Sequence, residues 1–317
     1  MSKNYVLNYL VLLIFWPKLI LGQDFSHLLF FKDNLVHLNP AHAGAEGSKI
    51  QIASRSQWSG IKNAPRTNSL RYISNKKKNV TWGYNIETDR VFIENRNSLS
   101  VDYSYQLKLD DQRNFYLGMR VGLYSYNFDV DELVRVTNQP NEILEAVRGY
   151  IGNIIGVGLY YSDVREKVEY FFSYSVPNVI NISRYKAENG ISIKVADRIH
   201  HFFVGGSKII IGENNLIPHF LVRQVKYVPI LYSFLLGFDF RKNFELGFGL
   251  TNNDYLSGYF SLKKIKNYNI GIGYEFPNSG KKTGLRRGMV EFNLIYKLGN
   301  QNTKEMEIET LNTNAID

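Results

Sequence analysis

The sequence contains no cysteine among its 317 residues. Without thiols, the chain has neither a disulfide framework nor a thiolate metal site. It also lacks the GxSxG nucleophile elbow, the HExxH zinc motif and the phosphate-binding loop. These absences argue against an enzyme, and we expect no catalytic residue, no metal and no cofactor.

Long apolar runs are also scarce. The first 22 residues have the pattern of a secretory signal, with Lys3 ahead of an apolar core from Val6 to Trp16 and a cleavage site after Gly22. An uncleaved anchor is the alternative. Cleavage would remove Lys3 and Lys18 and no acidic residue, so the formal charge of +9 would become 9 − 2 = +7. Elsewhere nothing approaches the roughly 18 apolar residues of a spanning helix, so a membrane would have to be crossed by strands.

What the chain does contain is alternation with a period of two, most clearly from Ile230 to Leu298. Apolar residues there alternate with glycine and charged residues, as in the stretch from Phe244 to Thr251. This period means that one face of each strand contacts an apolar medium and the other does not. With 22 Tyr and 20 Phe available for interfacial girdles, the pattern predicts an all-β transmembrane antiparallel barrel of about 14 strands. An ordinary aromatic-rich β protein is the alternative.

The domain prediction follows from this pattern. Residues 1–22 form the signal peptide, residues 23–48 a periplasmic N-terminal segment, residues 49–299 the outer-membrane barrel and residues 300–317 a periplasmic C-terminal tail. Short polar connections alternate with long ones along the barrel, as bacterial outer-membrane barrels require. We favour a plug or lead-in role for the N-terminal segment over a binding loop. The polar tail is interpreted as a disordered end, with docking on a periplasmic partner as the alternative.

Alternation also assigns the two faces of individual strands. In the fourth strand Leu99 and Val101 are predicted to face lipid, opposite Asp102; in the fifth, Met119 and Val121 face lipid, opposite Arg120. A cation on the lipid side at mid-membrane would cost about 2–4 kcal/mol. The predicted register keeps these charged side chains in the lumen.

Other charged groups carry no clear chemistry. His200 and His201 are adjacent in a strand, so their rings point to opposite faces and do not suit one metal. Acidic residues in the stretch Asp129–Glu145 lack EF-hand spacing, which favours a solvated loop over a Ca²⁺ site. The runs Lys76-Lys77-Lys78 and Arg286-Arg287 are interpreted as membrane-edge turns, and we expect no nucleic-acid partner.

Several short motifs are similar to those of the PorP/SprF family. The first three occur in that family's order: Asn39-Pro40-Ala41-His42-Ala43-Gly44, then Arg55-Ser56-Gln57-Trp58-Ser59-Gly60, then Ala64-Pro65-Arg66-Thr67. Further matches are the stretch from Gly156 to Asp163, the segment Ser173-Tyr174-Ser175-Val176-Pro177-Asn178, and Arg287-Gly288-Met289-Val290-Glu291. His42 stands where the family commonly has Tyr, and Tyr174 where it commonly has Leu. The resemblance covers essentially the whole mature chain.

The resemblance implies a non-enzymatic barrel of the Bacteroidota type IX secretion system, located in the outer membrane. Its partners would be the C-terminal domain of a secreted cargo protein such as a gliding adhesin, secretion or motility components on the periplasmic side, and outer-membrane lipid. The motif residues would be structural or partner-binding: Asn39, Pro40, Gly44, Arg55, Gln57, Trp58, Gly60, Pro65, Thr67, Pro177 and Asn178.

Two other functions remain open at this point: a pore for small or hydrophobic solutes, and a lipid-modifying barrel enzyme. Recognition sites usually lie on loops carried by a rigid frame. We therefore expect the connections Asn127–Gly152 and Pro177–Arg198 to bind cargo, and Trp58 to lie at the external interface, where the first hairpin turns.

Overall fold

A computed structural model describes residues 29–58, 60–61, 63–129, 149–180, 183–188, 191–196, 198–252, 255–265, 267–277 and 288–298. The chain begins here with a turn, a short helix α1 (Leu35–Leu38) and a 3-10 helix (Pro40–Gly44). No helix among these residues has the length and apolar character needed to span a membrane. The remaining regular structure is β-strand.

Sixteen strands follow in chain order within the described ranges. The first eight are β1 (Lys49–Ser56), β2 (Arg66–Ile73), β3 (Val80–Val91), β4 (Glu94–Lys108), β5 (Arg113–Phe128), β6 (Gly149–Val164), β7 (Val168–Val176) and β8 (Ser183–Glu188). The others are β9 (Ile191–Ala196), β10 (His200–Ile211), β11 (Asn214–Val225), β12 (Val228–Phe240), β13 (Phe244–Thr251), β14 (Tyr255–Ile265), β15 (Tyr268–Pro277) and β16 (Met289–Lys297).

Fourteen of these strands form one closed antiparallel barrel, in which β1 pairs with both β2 and β16. The predicted fold class and strand number are therefore confirmed. The remaining pair, β8 and β9, forms a separate two-stranded sheet. It lies in the connection Pro177–Arg198, for which the sequence analysis predicted no strands.

The burial pattern of the barrel wall is the reverse of that in a soluble protein. Apolar residues of β4 and β5 are exposed on the outside: Leu99 by 57%, Met119 by 54% and Val121 by 58%. Asp102 and Arg120 are buried inside, at 0% and 7%. Because exposed apolar bands and buried charges suit a hydrocarbon surround and a polar lumen, the predicted face assignment is confirmed.

The connections at the two ends of the barrel differ in length. One end carries the short turns, such as those between β2 and β3, β10 and β11, and β12 and β13. The other end carries the connections between β5 and β6, β7 and β10, and β15 and β16, which are the long ones. In bacterial barrels short turns are periplasmic and long loops external. On this rule β1 begins, and β16 ends, at the periplasmic end.

Residues 29–44 lie inside the barrel and are called the plug below. Nearly all of them are buried, including Phe30, Ala41 and Ala43 at 0% exposure. They contact strands on every side of the lumen. Residues 29–44 of the predicted 23–48 segment are therefore luminal; residues 23–28 lie outside the described ranges.

A charge on the outer face tests this arrangement. Val121→Lys places an ammonium group on the lipid side of β5 and should lower the free energy of unfolding by about 2–4 kcal/mol near mid-membrane. The matched control is Val121→Leu, which should change it by much less. Denaturant unfolding of the barrel in lipid vesicles measures both. Equal stability of the two variants would contradict the assignment of this face to lipid.

Candidate functional site

The motif segment 39–44 forms the base of the plug. Asn39 caps the 3-10 helix, since its Oδ1 accepts a hydrogen bond from the Ala41 amide at 2.9 Å. Pro40 occupies the first turn, where a missing N–H costs nothing. The Asn39 Nδ2 donates to the carbonyls of Leu159 (2.9 Å) and Tyr174 (3.3 Å). Asn39 therefore joins the plug's fold to the barrel wall through one side chain.

This segment rests on a pair of glycines in the wall. Gly118 of β5 and Gly158 of β6 are opposite each other in the strand register. A Cβ on Gly118 would collide with the backbone of Pro40 and Ala41, and one on Gly158 would collide with the Asn39 side chain. Because glycine has no Cβ, the plug can lie directly against the sheet at this point. We call Gly118 and Gly158 the glycine seat.

Arg120 holds the end of α1. Its guanidinium makes a bidentate pair with Asp102, at 2.6 Å from Nε and 2.9 Å from Nη2. The same group donates to the carbonyls of Val36 (2.5 Å) and His37 (2.8 Å). The last carbonyls of a helix have no partner within the helix, and a cation at that end is favourable. Arg120 thus satisfies the helix end and ties it to the wall.

A second ionic group closes the seam between the first and last strands. Arg55 of β1 is opposite Glu291 of β16, and its Nη1 lies 3.1 Å from the Glu291 carboxylate. Its Nη2 lies 2.5 Å from Glu275 of β15. Glu291 also accepts the amides of Leu29 (2.6 Å) and Phe30 (3.1 Å). All three charged side chains are buried, so the seam and the start of the plug share one ionic group.

Two further kinds of contact hold the plug in the lumen. On the β1–β2 side, Asn34 Oδ1 accepts from Gln51 Nε2 (2.9 Å) and from Arg71 Nη1 (2.7 Å). On the opposite side an apolar cluster joins plug and wall, formed by Leu29, Phe30, Phe31, Leu35, Leu38, Phe202, Val204, Leu221, Leu231, Leu235 and Tyr259. The plug is therefore anchored by hydrogen bonds on one side and by apolar packing on the other.

His42 belongs to the plug and not to a strand. Burial lowers its pKa to about 3, helped by positive charge at neighbouring groups. The neutral ring lies 3.1 Å from Ser173 Oγ and packs edge-on against Tyr160, with ring centroids 4.4 Å apart. His42 therefore acts as a packed aromatic side chain. A tyrosine, the residue common at this position in the family, would suit the same surroundings.

The remaining N-terminal motif residues lie in the external connection between β1 and β2. The backbone N–H of Gln57 donates to the Pro65 carbonyl at 2.9 Å, and this hydrogen bond closes the hairpin. Gly60 has φ of +86°, a conformation that glycine adopts without a steric penalty. Trp58 packs beside Phe92 at the tip of the next hairpin, with centroids 5.8 Å apart.

Three motif residues stabilise strand ends. Thr67 Oγ1 donates to Asp89 at 2.6 Å, across β2 and β3. Pro177 follows the last residue of β7 and is buried against Gly156 of β6. The Asn178 side chain accepts the Ile155 and Ile180 amides, at 3.3 and 3.2 Å. The sequence motifs thus form one plug and two external corners of the barrel, and they do not converge on a single cleft.

Among the described residues, no group of three or more His, Asp or Glu side chains is arranged to hold a metal ion. His200 lies beside the inward-facing Phe202, while His201 lies 2.9 Å from Tyr174 Oη, so the two rings have separate surroundings. Most of the acidic stretch Asp129–Glu145 lies outside the described ranges.

Sequence reasoning placed Asp102, Gly118 and Arg120 on the inner face but did not connect them with the plug. The signal that could have done so is the inward phase of Gly118 and Gly158 in consecutive strands, because two facing glycines leave a groove in the wall. The pairing of Arg55 with Glu291 and Glu275 joins positions far apart in the chain, and no local pattern reveals it.

Residues 21–296 match the model of the family described as type IX secretion system membrane protein PorP/SprF. The chain belongs to this family. The family covers both the plug and the barrel, so the glycine seat and the Arg55–Glu291 pair fall within the matched region. No functionally curated protein matches the sequence.

Solved structures give the same fold. The toluene transporter TbuX of Ralstonia pickettii superposes with a TM-score of 0.52 at 13% identity, over 82% of this chain and 92% of that one. The deltaS2S3 mutant of the monoaromatic hydrocarbon channel TodX gives 0.50 at 9% identity, over 82% and 92%. At these identities the likeness concerns the fold alone. Barrel fold and family together place this PorP/SprF protein in the outer membrane.

The glycine seat can be tested by a single methyl group. Gly158→Ala and Gly118→Ala should each destabilise the protein by about 1–3 kcal/mol, because the added Cβ overpacks the contact with Asn39 or Pro40. Gly258→Ala is the matched control, since a Cβ on this strand glycine meets only the Gly247 carbonyl, at 4.0 Å. The unfolding midpoint measures all three. A Gly258 variant as unstable as the others would contradict the role of the seat.

The ionic seam gives a larger expected effect. Arg55→Met leaves the Glu275 and Glu291 carboxylates buried without their cation, and breaking a buried pair in this way costs about 3–5 kcal/mol. Asp111→Asn removes the exposed Lys108–Asp111 pair. It should change the free energy of unfolding far less, because water screens an exposed pair. Denaturant unfolding compares the two. If the Arg55→Met protein is as stable as the Asp111→Asn protein, the Arg55–Glu291–Glu275 group is not a main source of the barrel's stability.

Proposed function

We propose that this PorP/SprF protein is a non-enzymatic partner of the type IX secretion system that captures the C-terminal domain of a secreted cargo protein at the cell surface. It would assist secretion or surface attachment of that cargo, for example a gliding adhesin. We also propose that residues 1–22 are a cleaved export signal and that residues 300–317 are a polar periplasmic tail. Partners on the periplasmic side would be other components of the secretion or motility machinery. Family membership makes it a secretion-system membrane component; the cargo role goes further and rests on the following points.

The observation that carries the proposal is the plug fastened inside the lumen. Arg120, Asn39 and the Arg55–Glu291 pair fasten the plug to β1, β4, β5, β6 and β16 by buried hydrogen bonds. A buried polar group left without its partner costs about 1–3 kcal/mol, so removing the plug would carry several such penalties. A barrel whose lumen holds a plug fastened in this way suits a fixed scaffold whose work is done on its outer surfaces.

The external end offers those surfaces. It carries the long connections after β5, β7 and β15, together with the ordered corner formed by Trp58 and Phe92. Loops on a rigid frame are the usual place for recognition. The proposed cargo-binding connections are Asn127–Gly152 and Pro177–Arg198, and the motif residues Gln57, Trp58, Gly60, Pro177 and Asn178 fix the corners from which binding surfaces begin.

A channel for small or hydrophobic solutes is the second candidate, because TbuX and the TodX mutant share the fold and are named as a toluene transporter and a hydrocarbon channel. Planar bilayers separate the two functions. A scaffold should leave the bilayer nearly silent, whereas a pore should conduct. Steady conductance of the purified protein would support the channel and oppose the proposal.

Replacing residues 130–148 with a short Gly/Ser linker tests the cargo role. The change lies between β5 and β6, so the barrel should still form, while co-purification of cargo carrying the C-terminal domain should fall at least tenfold. Replacing residues 75–78 of the β2–β3 turn with a linker of the same length is the matched control and should retain cargo. Full cargo retention by the 130–148 variant would count against this loop. A second variant replaces residues 181–197 of the β7–β10 connection in the same way. Full cargo retention by both variants would contradict the proposal.

A further inference from the structure

The outer face of β1–β4 changes character toward its external end. The uppermost apolar row consists of four exposed register neighbours, Ile52, Leu70, Ile86 and Leu99. The next outward-facing row is polar and is held by two side-chain hydrogen bonds, from Ser54 to Asn68 (2.8 Å) and from Thr88 to Asn97 (2.9 Å). Because lipid-facing residues of a barrel are apolar only within the hydrocarbon layer, the boundary of that layer lies between these two rows.

One row higher, two arginines lie side by side on the same face. Arg66 of β2 is directly opposite Arg90 of β3, and both side chains are exposed. Each arginine is two residues beyond the polar row, about 7 Å along the strand. The headgroup layer on each side of a bilayer is about 5–8 Å thick. Both guanidinium groups therefore lie at the level of the external headgroups.

The charge on this part of the outer face has one sign. Among the outward-facing strand residues that the structure describes in the external half of the wall, two carry a formal charge, and both are these arginines. The acidic residues of β3 and β4 turn inward and accept hydrogen bonds there, namely Glu87 from Arg71, Asp89 from Thr67 and Glu94 from Tyr126. Like charges directly opposite each other on a sheet repel. An anion bound between Arg66 and Arg90 would offset that repulsion.

An aromatic corner adjoins the arginines on the external side. Arg90 Nε donates to the Phe92 carbonyl at 3.5 Å, and the Phe92 ring packs beside Trp58. Trp58 lies two residues beyond Ser56, which is opposite Arg66. Aromatic side chains of this kind favour the membrane–water interface. From the membrane outward, this face thus presents apolar side chains, hydrogen-bonding side chains, two cations and an aromatic pair.

We infer that this face binds an external-leaflet lipid, with the lipid's phosphate group between Arg66 and Arg90 and its acyl chains along the apolar row. Guanidinium groups bind phosphate through pairs of parallel N–H···O bonds. The apolar row directly below favours a lipid over a free anion or an acidic protein, since neither of these has hydrocarbon at that depth. The site does not depend on the proposed function, because it lies on the lipid-facing wall and uses neither the plug nor the proposed cargo-binding connections.

Lipid binding can be measured on the purified protein in the absence of cargo. The probes are monophosphoryl lipid A and the same glycolipid without its phosphate, each titrated into the protein in a neutral detergent. Native mass spectrometry gives the fraction of protein with bound lipid. The variants are Arg66→Gln and the double variant Arg66→Gln/Arg90→Gln. Lys226→Gln is the matched control, because Lys226 is an exposed cation in the external β11–β12 turn.

The unchanged protein should bind the phosphorylated lipid at least tenfold more tightly than the phosphate-free lipid. Arg66→Gln should lower the affinity for the phosphorylated lipid at least threefold and the double variant at least tenfold, while Lys226→Gln should retain it. The unfolding midpoints of these proteins should agree, since all three side chains are exposed.

Three results would overturn the inference. The first is equal affinity of the unchanged protein for the two lipids. The second is equal affinity of the double variant and Lys226→Gln for the phosphorylated lipid. The third is displacement of that lipid by millimolar inorganic phosphate, because the site would then bind a free anion. A double variant that loses cargo but keeps the lipid would show that the arginines contact protein, and it would contradict the inference through the second result.

Discussion

The structure depends on one constraint. The inner wall of the barrel carries charged and amide side chains that are buried from bulk water, so each needs a hydrogen-bond or charge partner within the protein. Arg55, Arg71 and Arg120 are each at most 7% exposed, and an isolated buried charge is prohibitively costly. The plug supplies part of what these groups need, in the form of backbone carbonyls, backbone amides and Asn34. Barrel and plug therefore stabilise each other, and neither has a complete set of partners alone.

The same constraint explains why the family motifs concentrate where they do. The segment 39–44 has small residues where the plug approaches the wall, and Gly118 and Gly158 remove side chains from the wall at that place. Arg55 stands where the first and last strands meet, so that one guanidinium holds the seam and, through Glu291, the start of the plug. Packing and charge pairing account for the residue types at these positions.

Sequence reasoning recovered the barrel because its signals are local. Alternation along β4 and β5 predicted that Asp102 and Arg120 point inward and that Met119 points outward. The number of alternating stretches predicted the strand count, and the order of short and long connections agreed with it. It did not recover the β8–β9 hairpin, which lies in a connection and presents no face to lipid. Nor did it recover the partners of Arg55 or Asn39, because those contacts join residues more than 100 positions apart, and the register between distant strands sets them.

Direction is the property that strand patterns constrain least. The order of short and long connections places β1 at the periplasmic end of the barrel. The chain ahead of β1 is held by contacts that no strand pattern encodes: the Leu29 amide donates to Glu291 of β16, and Lys32 pairs with Glu245 of β13. Within four residues the plug is thus tied to two separate parts of the wall. Its position in the lumen therefore follows from hydrogen bonds and charge pairs between segments that are distant in the chain.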